Sequence, residues 1–249
     1  MKKLIIFDLD GTLAESKSKV DEEMSALLSA LLKEKEVAII SGGAYAQFEK
    51  QLLGNLSCEE DELKKLHIFP TCGASFYRFD KGWSCFYKEV LSAEEKNKII
   101  EAFKIALPLG GYKQPDSIYG ETIEDRETQI SFSALGQLAP VDLKKVWDPD
   151  SARRLRIKKF LDPLLPNFSV RVGGATTIDI TKKGIDKAYG IGQMEKHLGF
   201  SRDEMLFMGD ALFPGGNDYP VKEAGVDCIH VSGPAHTKDE IGKVLAFLP

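Results

Sequence analysis

Short apolar runs alternate with amphipathic stretches along the first part of the chain. Lys3 to Phe7 contains a continuous apolar run that ends at Asp8 and Gly11, which predicts a buried parallel strand followed by a polar loop. Val20 to Glu34 has apolar residues at helical spacing, with Asp21 as its N-cap. The other elements predicted here are a strand Val37 to Ile40, stopped by Ser41-Gly42-Gly43, and helices Ala44 to Leu53 and Glu59 to Leu66. Such a β-loop-α repeat is typical of a doubly wound sheet.

The pattern changes in the middle of the chain and then returns. The elements predicted in the middle are helices Ser92 to Ala106 and Pro149 to Leu161, and strands Thr122 to Phe132 and Ser169 to Thr181. After Gly184 the prediction is a helix to about His197, a strand Met205 to Met208, a short helix near Val221, a strand Val226 to Val231 and a helix from about Lys238. We therefore predict an α/β fold. Its doubly wound, Rossmann-like parallel-sheet core comprises residues 1–81 and 184–249, and an inserted α+β domain comprises residues 82–183.

Composition narrows the class of protein. No apolar run approaches the roughly 20 residues of a membrane span, and the one after Lys3 is too short for a signal peptide, so we expect a cytoplasmic protein. A net charge of −5 disfavours a general nucleic-acid binder. The four cysteines form no CxxC pair, which argues against a zinc site and favours buried thiols.

One basic segment and one glycine pair have a structural interpretation. The basic residues are interleaved with apolar ones, which favours the solvated face of a helix over a nucleic-acid surface; they are Arg153, Arg154, Arg156, Lys158 and Lys159. Gly173-Gly174 is interpreted as a hairpin turn rather than a phosphate-binding loop.

Two carboxylates follow the first predicted strand directly. In Asp8-Leu9-Asp10-Gly11-Thr12 one carboxylate can attack phosphorus and hold a metal, while the other can move the proton of an attacking or leaving hydroxyl. Gly11 permits a tight turn, and backbone N–H groups of such a loop can bind phosphate oxygens. An Asp-Gly turn that merely ends the strand is the structural alternative.

Other groups suited to anions or metals occur at the ends of predicted elements. Ser41-Gly42-Gly43 offers a hydroxyl and a helix N-terminus to a phosphate. Lys187 opens a helix, which is unfavourable for the helix dipole unless an anion lies there; a solvated surface lysine is the alternative. Gly209-Asp210 and Gly215-Gly216-Asn217-Asp218 place oxygen ligands on a glycine-rich loop, and such ligands suit Mg²⁺.

These segments together resemble a known superfamily. Asp8-Leu9-Asp10-Gly11-Thr12, Ser41, Lys187 and Gly209-Asp210…Asn217-Asp218 stand in the order of the four motifs of the haloacid dehalogenase superfamily of phosphatases and phosphotransferases. The insertion between the second and third motifs resembles the C2-type cap of the Cof-like branch. The four-part order spans the whole predicted core and is more specific than any single motif.

The resemblance implies a role for each motif residue. Asp8 would be the nucleophile that forms an aspartyl-phosphate, and Asp10 the general acid/base. Ser41 and Lys187 would hold the phosphoryl group, beside Gly42 and Gly43. The implied Mg²⁺ ligands are Asp8, the Asp10 carbonyl and Asp210, supported by Asn217 and Asp218. Since a dianionic phosphate repels a carboxylate nucleophile, Mg²⁺ and Lys187 are needed to screen the charge before attack.

Within that superfamily the chain most resembles the eukaryotic-type phosphomannomutases. The segment from Gly209 to Asp218 ends in their PGGND sequence, and Thr122 to Arg126 and Gly173 to Asp179 also match. In that family cap arginines bind the distal phosphate of a hexose bisphosphate, and Arg126 matches one of them. Thr177 and Asp179 match a Ser/Asp pair that contacts the sugar; they alternate onto one strand face, opposite Ile178 and Ile180.

The chain departs from that family at three phosphate-binding positions. Lys17 and Lys144 replace arginines, and Gln137 stands where the family has arginine. A mutase must hold a bisphosphate by either end, and these changes weaken bidentate phosphate recognition. We therefore predict a Mg²⁺-dependent sugar-phosphate phosphatase, with a phosphohexose mutase as the alternative and a non-catalytic sugar-phosphate binder as a third hypothesis. The expected partner is a small phosphorylated substrate, with no nucleic acid or membrane; a homodimer through the cap is compatible with the resemblance.

Overall fold

The computed structural model describes residues 2–247. The strands are β1 (Leu4–Phe7), β2 (Glu36–Ile40), β3 (Leu66–Phe69), β4 (Ser75–Phe79), β5 (Trp83–Lys88), β6 (Ile123–Asp125), β7 (Gln129–Ser133), β8 (Phe168–Gly173), β9 (Thr177–Lys182), β10 (Met205–Gly209) and β11 (Asp227–His230). The α-helices are α1 (Glu22–Glu34), α2 (Tyr45–Gln51), α3 (Glu60–Leu63), α4 (Ala93–Leu109), α5 (Val141–Trp147), α6 (Ala152–Leu164), α7 (Lys187–Leu198), α8 (Tyr219–Glu223) and α9 (Pro234–Ala246). In this described part, no helix combines the length and apolarity needed to cross a membrane.

The chain divides into two compact units. The core unit is formed by the chain up to Lys88 and from Ile185 onward, and the cap unit by Glu89–Gly184. The sequence predicts the first boundary after residue 81. The structure places it after Lys88, because β5 pairs antiparallel with β4 and so completes the edge of the core sheet.

The core unit contains a seven-stranded sheet with the order β11-β10-β1-β2-β3-β4-β5. The first five strands in that order are parallel, and β4 and β5 are antiparallel. Strand β1 is buried on both faces: Ile5 and Phe7 pack with residues of α1, whereas Leu4 and Ile6 pack with residues of α7. Helices therefore cover both faces of the sheet, which confirms the predicted doubly wound α/β core.

The cap unit contains an antiparallel four-stranded sheet with the order β6-β7-β9-β8. Ile130 and Phe132 on β7 and Ile178 and Ile180 on β9 form its core together with apolar residues of α4 and α6. Thr177 and Asp179 alternate with these isoleucines and lie on the opposite face, as predicted.

Several element boundaries differ from the predictions. Thr122 to Phe132 and Ser169 to Thr181 are two hairpins rather than two strands, and the second turns at Gly173-Gly174 as interpreted. The helix predicted to reach Leu66 ends at Leu63, because Leu66 begins the parallel strand β3. Strands β3 to β5 and helix α5 were not predicted. The last helix begins at Pro234, four residues earlier than expected, while Asp21 caps α1 by accepting from Met24 N at 2.8 Å.

Candidate active site

Asp8 is held at the carboxyl end of the central strand β1. Its backbone N–H donates to the Met208 carbonyl oxygen of the neighbouring strand β10 at 3.0 Å, which extends the parallel ladder by one residue. The residue is only 2% exposed. A carboxylate that is buried this deeply must find a partner, since an isolated buried charge is strongly unfavourable.

That partner is Lys187, the first residue of α7. Its Nζ is fully buried and donates to Asp8 Oδ1 and to Asp218 Oδ1. Asp186 caps the helix by accepting from Tyr189 N at 3.0 Å, which fixes the turn that carries Lys187. The sequence predicted an anion beside this lysine, and in the structure two carboxylates of the chain itself lie there.

Two glycines make room for the acidic side chains of the loop that follows β10. Gly11 has a φ of +82°, and a Cβ at this position would lie 2.6 Å from Asp210 Oδ2. A Cβ on Gly209 would overlap the Asp218 carboxylate, whose Oδ2 accepts from Ala211 N at 2.9 Å. Glycine at positions 11 and 209 therefore has a steric basis, because a side chain there would displace the carboxylates of Asp210 and Asp218.

Three carboxylates form a group that fits a divalent cation. Ligand oxygens of Asp8, Asp210 and Asp218 all lie within 4.8 Å of one another. With Lys187 beside them, the four side chains carry a net charge of −2 when all are ionised. Oxygen ligands and this charge suit Mg²⁺. Asn217, which is also predicted to support the cation, is exposed on the same loop.

Burial and mutual charge shift the pKa values of this group. Burial raises the pKa of Asp8 to about 7, because the stabilising charge of Lys187 offsets only part of the desolvation and Asp218 adds repulsion. The pKa of Asp210 is also raised, first by burial and then by Asp218. Burial alone would lower the pKa of Lys187, but Asp8 and Asp218 outweigh it and raise this pKa.

Asp10 points to a different set of partners. Its Oδ2 accepts from Gln47 Nε2 at 2.7 Å, and its Oδ1 accepts from Gln51 Nε2 at 3.1 Å and from Lys17 N at 2.7 Å. The side chain of Lys17, predicted to bind substrate, is exposed, and only its backbone N–H contacts Asp10. The carboxylates of Asp8 and Asp10 thus have different surroundings: Asp8 belongs to the group that could hold a cation, and Asp10 accepts from amide N–H groups.

The Ser41-Gly42-Gly43 loop lies at the end of β2. Ser41 is 3% exposed, and its Oγ accepts from Gly43 N at 3.3 Å. Its carbonyl oxygen accepts from Cys72 N at 2.8 Å, which ties the loop to the segment after β3. Gly42 is exposed, so the loop offers backbone groups at the carboxyl edge of the sheet.

The predicted cap residues on the β6–β7 side form one hydrogen-bonded group. Arg126 Nε donates to Glu124 Oε2 at 2.6 Å, and Arg126 Nη2 donates to Gln137 Oε1 at 3.5 Å. Lys144 Nζ donates to the Gln137 carbonyl oxygen at 2.8 Å, and Lys144 is 8% exposed. Gln137 therefore links Arg126 to Lys144, although its own side chain is neutral.

Thr177 and Asp179 belong to the polar face of β9. Asp179 Oδ1 accepts from Ser131 Oγ at 2.6 Å, and Ser131 lies directly opposite on β7. Thr177 Oγ1 donates to the Gly173 carbonyl oxygen. This face joins polar side chains of two adjacent strands.

Sequence reasoning missed two sets of residues. Gln47 and Gln51 contact Asp10, and their spacing of four on a helix was the signal that could have indicated a shared face. Arg154 was expected to be solvated, but it is 2% exposed and paired with Asp148, Nε to Oδ2 at 2.8 Å. It lies on the inner side of α6, in line with buried Ile157 and Leu161.

The fold and this site define an α/β enzyme whose parallel-sheet core is interrupted by an inserted α+β cap. The family model described as haloacid dehalogenase-like hydrolase matches residues 5–221, and the chain belongs to this family.

Among curated proteins, the chain is similar to phosphomannomutases. It is 28% identical to the phosphomannomutase of Encephalitozoon cuniculi, over 98% of this chain and 94% of that protein. It is 29% identical to the phosphomannomutase of Saccharomyces cerevisiae, over 98% of this chain and 93% of that protein. The similarity therefore includes both the core and the cap segments.

Solved structures share the fold at lower sequence identity. The IMP-bound IMP-nucleotidase of Plasmodium falciparum superposes with a TM-score of 0.71 at 17% identity, covering 99% of this chain and 68% of that one. A haloacid dehalogenase-like hydrolase of Bacteroides thetaiotaomicron superposes with a TM-score of 0.65 at 15% identity, covering 98% and 100%. At these identities the likeness concerns the fold alone.

Proposed function

We propose that this chain hydrolyses a small phosphomonoester, a sugar phosphate, through an aspartyl-phosphate on Asp8. The observation that carries the proposal is the buried Asp8–Lys187–Asp218 arrangement, with Asp210 close enough to share a cation. A nucleophilic carboxylate needs positive charge beside it before it can approach a phosphate dianion. Lys187 and two carboxylates that could share a cation with Asp8 support this requirement.

The residues of the core unit would divide the reaction into two transfers. An oxygen of Asp8 attacks phosphorus, the bond from phosphorus to the ester oxygen breaks, and Asp10 gives a proton to the departing oxygen. Asp10 then takes a proton from water, which attacks the aspartyl-phosphate and releases phosphate and free Asp8. Ser41, the loop after it and Lys187 would hold the phosphoryl oxygens. Asp8, Asp210 and Asp218 would hold Mg²⁺, which supplies charge neutralisation at the phosphoryl group.

The cap residues favour water as the acceptor. Glu124 already pairs with Arg126, Gln137 is neutral, and Lys144 donates to a backbone carbonyl. These side chains offer fewer bidentate contacts than a set of arginines would to a second phosphate, which a mutase must bind as firmly as the first. A hydrolase needs only one phosphate site and a polar pocket for the alcohol.

A mutase is the second candidate. It is favoured by the similarity to curated phosphomannomutases, which extends over 93–94% of the length of the two relatives described above. A mutase of this kind would use the same Asp8 and Asp10 but return the phosphoryl group to another hydroxyl of the sugar.

A substrate panel with Mg²⁺ tests both candidates. Wild type and Asp8→Asn are assayed with p-nitrophenyl phosphate and with 1- and 6-phosphates of mannose and glucose, and both free phosphate and the isomeric sugar phosphate are measured. We expect wild type to release phosphate and Asp8→Asn to lose at least ~1,000-fold in turnover, because the covalent step is lost. The exposed Asp80 in the β4–β5 turn supplies the matched control, Asp80→Asn, which should keep wild-type turnover.

The outcomes separate the hypotheses. Wild-type turnover in Asp8→Asn contradicts the proposed nucleophile. Isomerisation that needs a hexose bisphosphate and releases no comparable phosphate favours the mutase. Tight sugar-phosphate binding without turnover with any metal tested would favour a binding protein instead.

A further inference from the structure

Helix α2 directs two glutamine side chains at the carboxylate of Asp10. Gln47 and Gln51 are four residues apart and lie on one face of the helix. Gln47 Nε2 is 2.7 Å from Asp10 Oδ2, and Gln51 Nε2 is 3.1 Å from Asp10 Oδ1. An ionised carboxylate can only accept, so each amide must present its NH₂ group to Asp10. Both oxygens of Asp10 are therefore fixed by the same helix.

Gln51 also fixes the loop that follows Asp10. Its Nε2 donates to the Ser18 carbonyl oxygen at 2.8 Å, and its own carbonyl oxygen accepts from Val20 N at 2.8 Å. Lys17 N donates to Asp10 Oδ1 from the same loop. Asp10 is thus held between α2 and the loop, and its carboxylate has a defined orientation.

The buried Gln51 amide has an unbalanced hydrogen-bond pattern. The residue is 4% exposed, and its Oε1 has no hydrogen-bond partner among residues 2–247. Burying an unpaired acceptor destabilises a protein, so the bonds that the Nε2 group donates must offset this cost. The donor side of the amide, which faces Asp10 and Ser18, is the side with partners.

Gly43 provides the space that Gln47 occupies. A Cβ on Gly43 would overlap Gln47 Oε1, so glycine at residue 43 leaves room for the position from which this side chain contacts Asp10. The sequence Ser41-Gly42-Gly43 therefore leaves room for Gln47 as well as forming the predicted phosphate loop.

We propose that Gln47 and Gln51 are positioning residues that orient the Asp10 carboxylate for proton transfer to the leaving oxygen and from the attacking water. This inference rests on the proposed function. Asp10 exchanges the proton itself, and the glutamines act only through Asp10. General acid/base catalysis contributes typically 10²–10⁴-fold, and a misoriented carboxylate forfeits part of that factor.

The leaving group distinguishes positioning from a structural role. The departing nitrophenolate of p-nitrophenyl phosphate is weakly basic and needs little protonation, whereas phenolate and a sugar alkoxide are more basic and depend on the acid. The value of kcat/KM reports the first irreversible step, which here is phosphoryl transfer to Asp8. Loss of orientation should therefore affect phenyl phosphate and the sugar phosphate selectively.

The test measures kcat/KM of Gln47→Leu, Gln47→Asn and Gln51→Leu on p-nitrophenyl phosphate, on phenyl phosphate and on the best sugar phosphate of the panel. Gln47 is partly exposed, so its variants should fold even if Gln51→Leu does not. We expect a loss of about 10- to 100-fold on the two substrates with basic leaving groups, equivalent to one hydrogen bond to a charged group. On p-nitrophenyl phosphate we expect a loss below about 3-fold.

Glu49→Leu, at an exposed position of the same helix, is the matched control and should change none of these values. Melting temperatures of all variants show whether the helix is intact. Equal losses on all substrates, or no loss, in folded Gln47 variants would overturn the inference while the proposed function stands. A wild-type chain without activity on any of the substrates would overturn the proposed function, and this inference with it.

Discussion

The core unit and the cap unit each bury a basic side chain against a carboxylate, but the two pairs are built differently. In the cap unit, the side chains of Arg154 and Asp148 are 3% and 1% exposed, and one positive charge faces one negative charge. The guanidinium donates to Asp148 Oδ2 and O, to Ser151 Oγ and to the carbonyl oxygens of Gly173 and Gly174. Asp148 also accepts from the backbone N–H groups of Arg153 and Arg154. The pair is neutral and its hydrogen bonds are complete within the unit.

The cluster of the core unit, by contrast, is not electrically neutral. Lys187 faces two carboxylates at once, a third lies within reach, and burial raises the pKa of Asp8 to about 7. In the cap, burial alone would raise the pKa of Asp148, but Arg154 and the backbone donors outweigh it and lower this pKa. Burial of an ion pair therefore does not indicate function by itself. Surplus negative charge in a buried cluster, as in Asp8, Asp210 and Asp218 around Lys187, marks a candidate functional site.

The largest effect is expected from Lys187→Met. It leaves Asp8 and Asp218 buried without a counter-charge, so we expect turnover to fall at least ~1,000-fold and the free energy of unfolding to fall by about 3–5 kcal/mol. Phosphate release and urea unfolding measure the two effects. Lys196→Met, at an exposed position of the same helix, should alter neither by more than about 0.5 kcal/mol. Wild-type turnover in Lys187→Met would show that Lys187, like Arg154 in the cap unit, is not needed for catalysis.

The next effect concerns stability alone. Arg154→Met strands the buried Asp148 charge, and we expect the free energy of unfolding to fall by about 3–5 kcal/mol. The double variant Arg154→Met with Asp148→Leu removes both charges and should recover most of this loss, since neutral buried pairs can be replaced by apolar side chains. Urea unfolding of both variants measures the difference, with exposed Arg156→Met as the control. A double variant no more stable than the single one would show that packing, and not charge, dominates there.

Much of the core site could be predicted from local sequence. Asp8, Asp10 and Asp210 follow apolar runs that form parallel strands. The carboxyl ends of parallel strands lie at the same edge of the sheet, so these residues are expected together. The runs Leu4 to Phe7 and Met205 to Met208 contain only apolar residues, which indicates buried strands. By contrast, β3 follows a short helix without a glycine or proline between them, so the predicted helix includes the first residue of β3, Leu66, and no strand is predicted after it.

The contacts between side chains were beyond sequence reasoning. The basic segment around Arg154 gave no sign of which residue turns inward, because that depends on where α6 packs on the sheet and on Asp148 before it. The partners of Asp10 were missed for a similar reason: Gln47 and Gln51 reach it across a sequence separation of 37 and 41 residues. Hydrophobic periodicity finds helices and strands, but it does not say which polar groups they bring together.

The smallest effect expected is a difference in pH dependence between Asp8 and Asp148. The pKa of Asp8 rises on folding from its ordinary value near 3.8 to about 7, so the folded chain holds a proton that the unfolded chain has lost, and stability falls as pH rises through this window. The slope is at most about 1.4 kcal/mol per pH unit. The pKa of Asp148 is lowered instead, so its contribution is present above the unfolded pKa of about 4 and is lost as pH falls through the lower folded value.

Urea unfolding between pH 3 and 8 in the presence of EDTA measures both slopes. As pH rises from 5 to 7, the free energy of unfolding of wild type should decline relative to that of Asp8→Asn. Relative to Asp148→Asn it should decline only as pH falls below about 4. Saturating Mg²⁺ should remove the first slope, because a cation beside Asp8 favours its ionised form, and should leave the second unchanged. The absence of any decline between pH 5 and 7 relative to Asp8→Asn, with a loss of stability only below about pH 4, would mean that Lys187 neutralises the core carboxylates fully. The core cluster would then be a closed pair like the one in the cap.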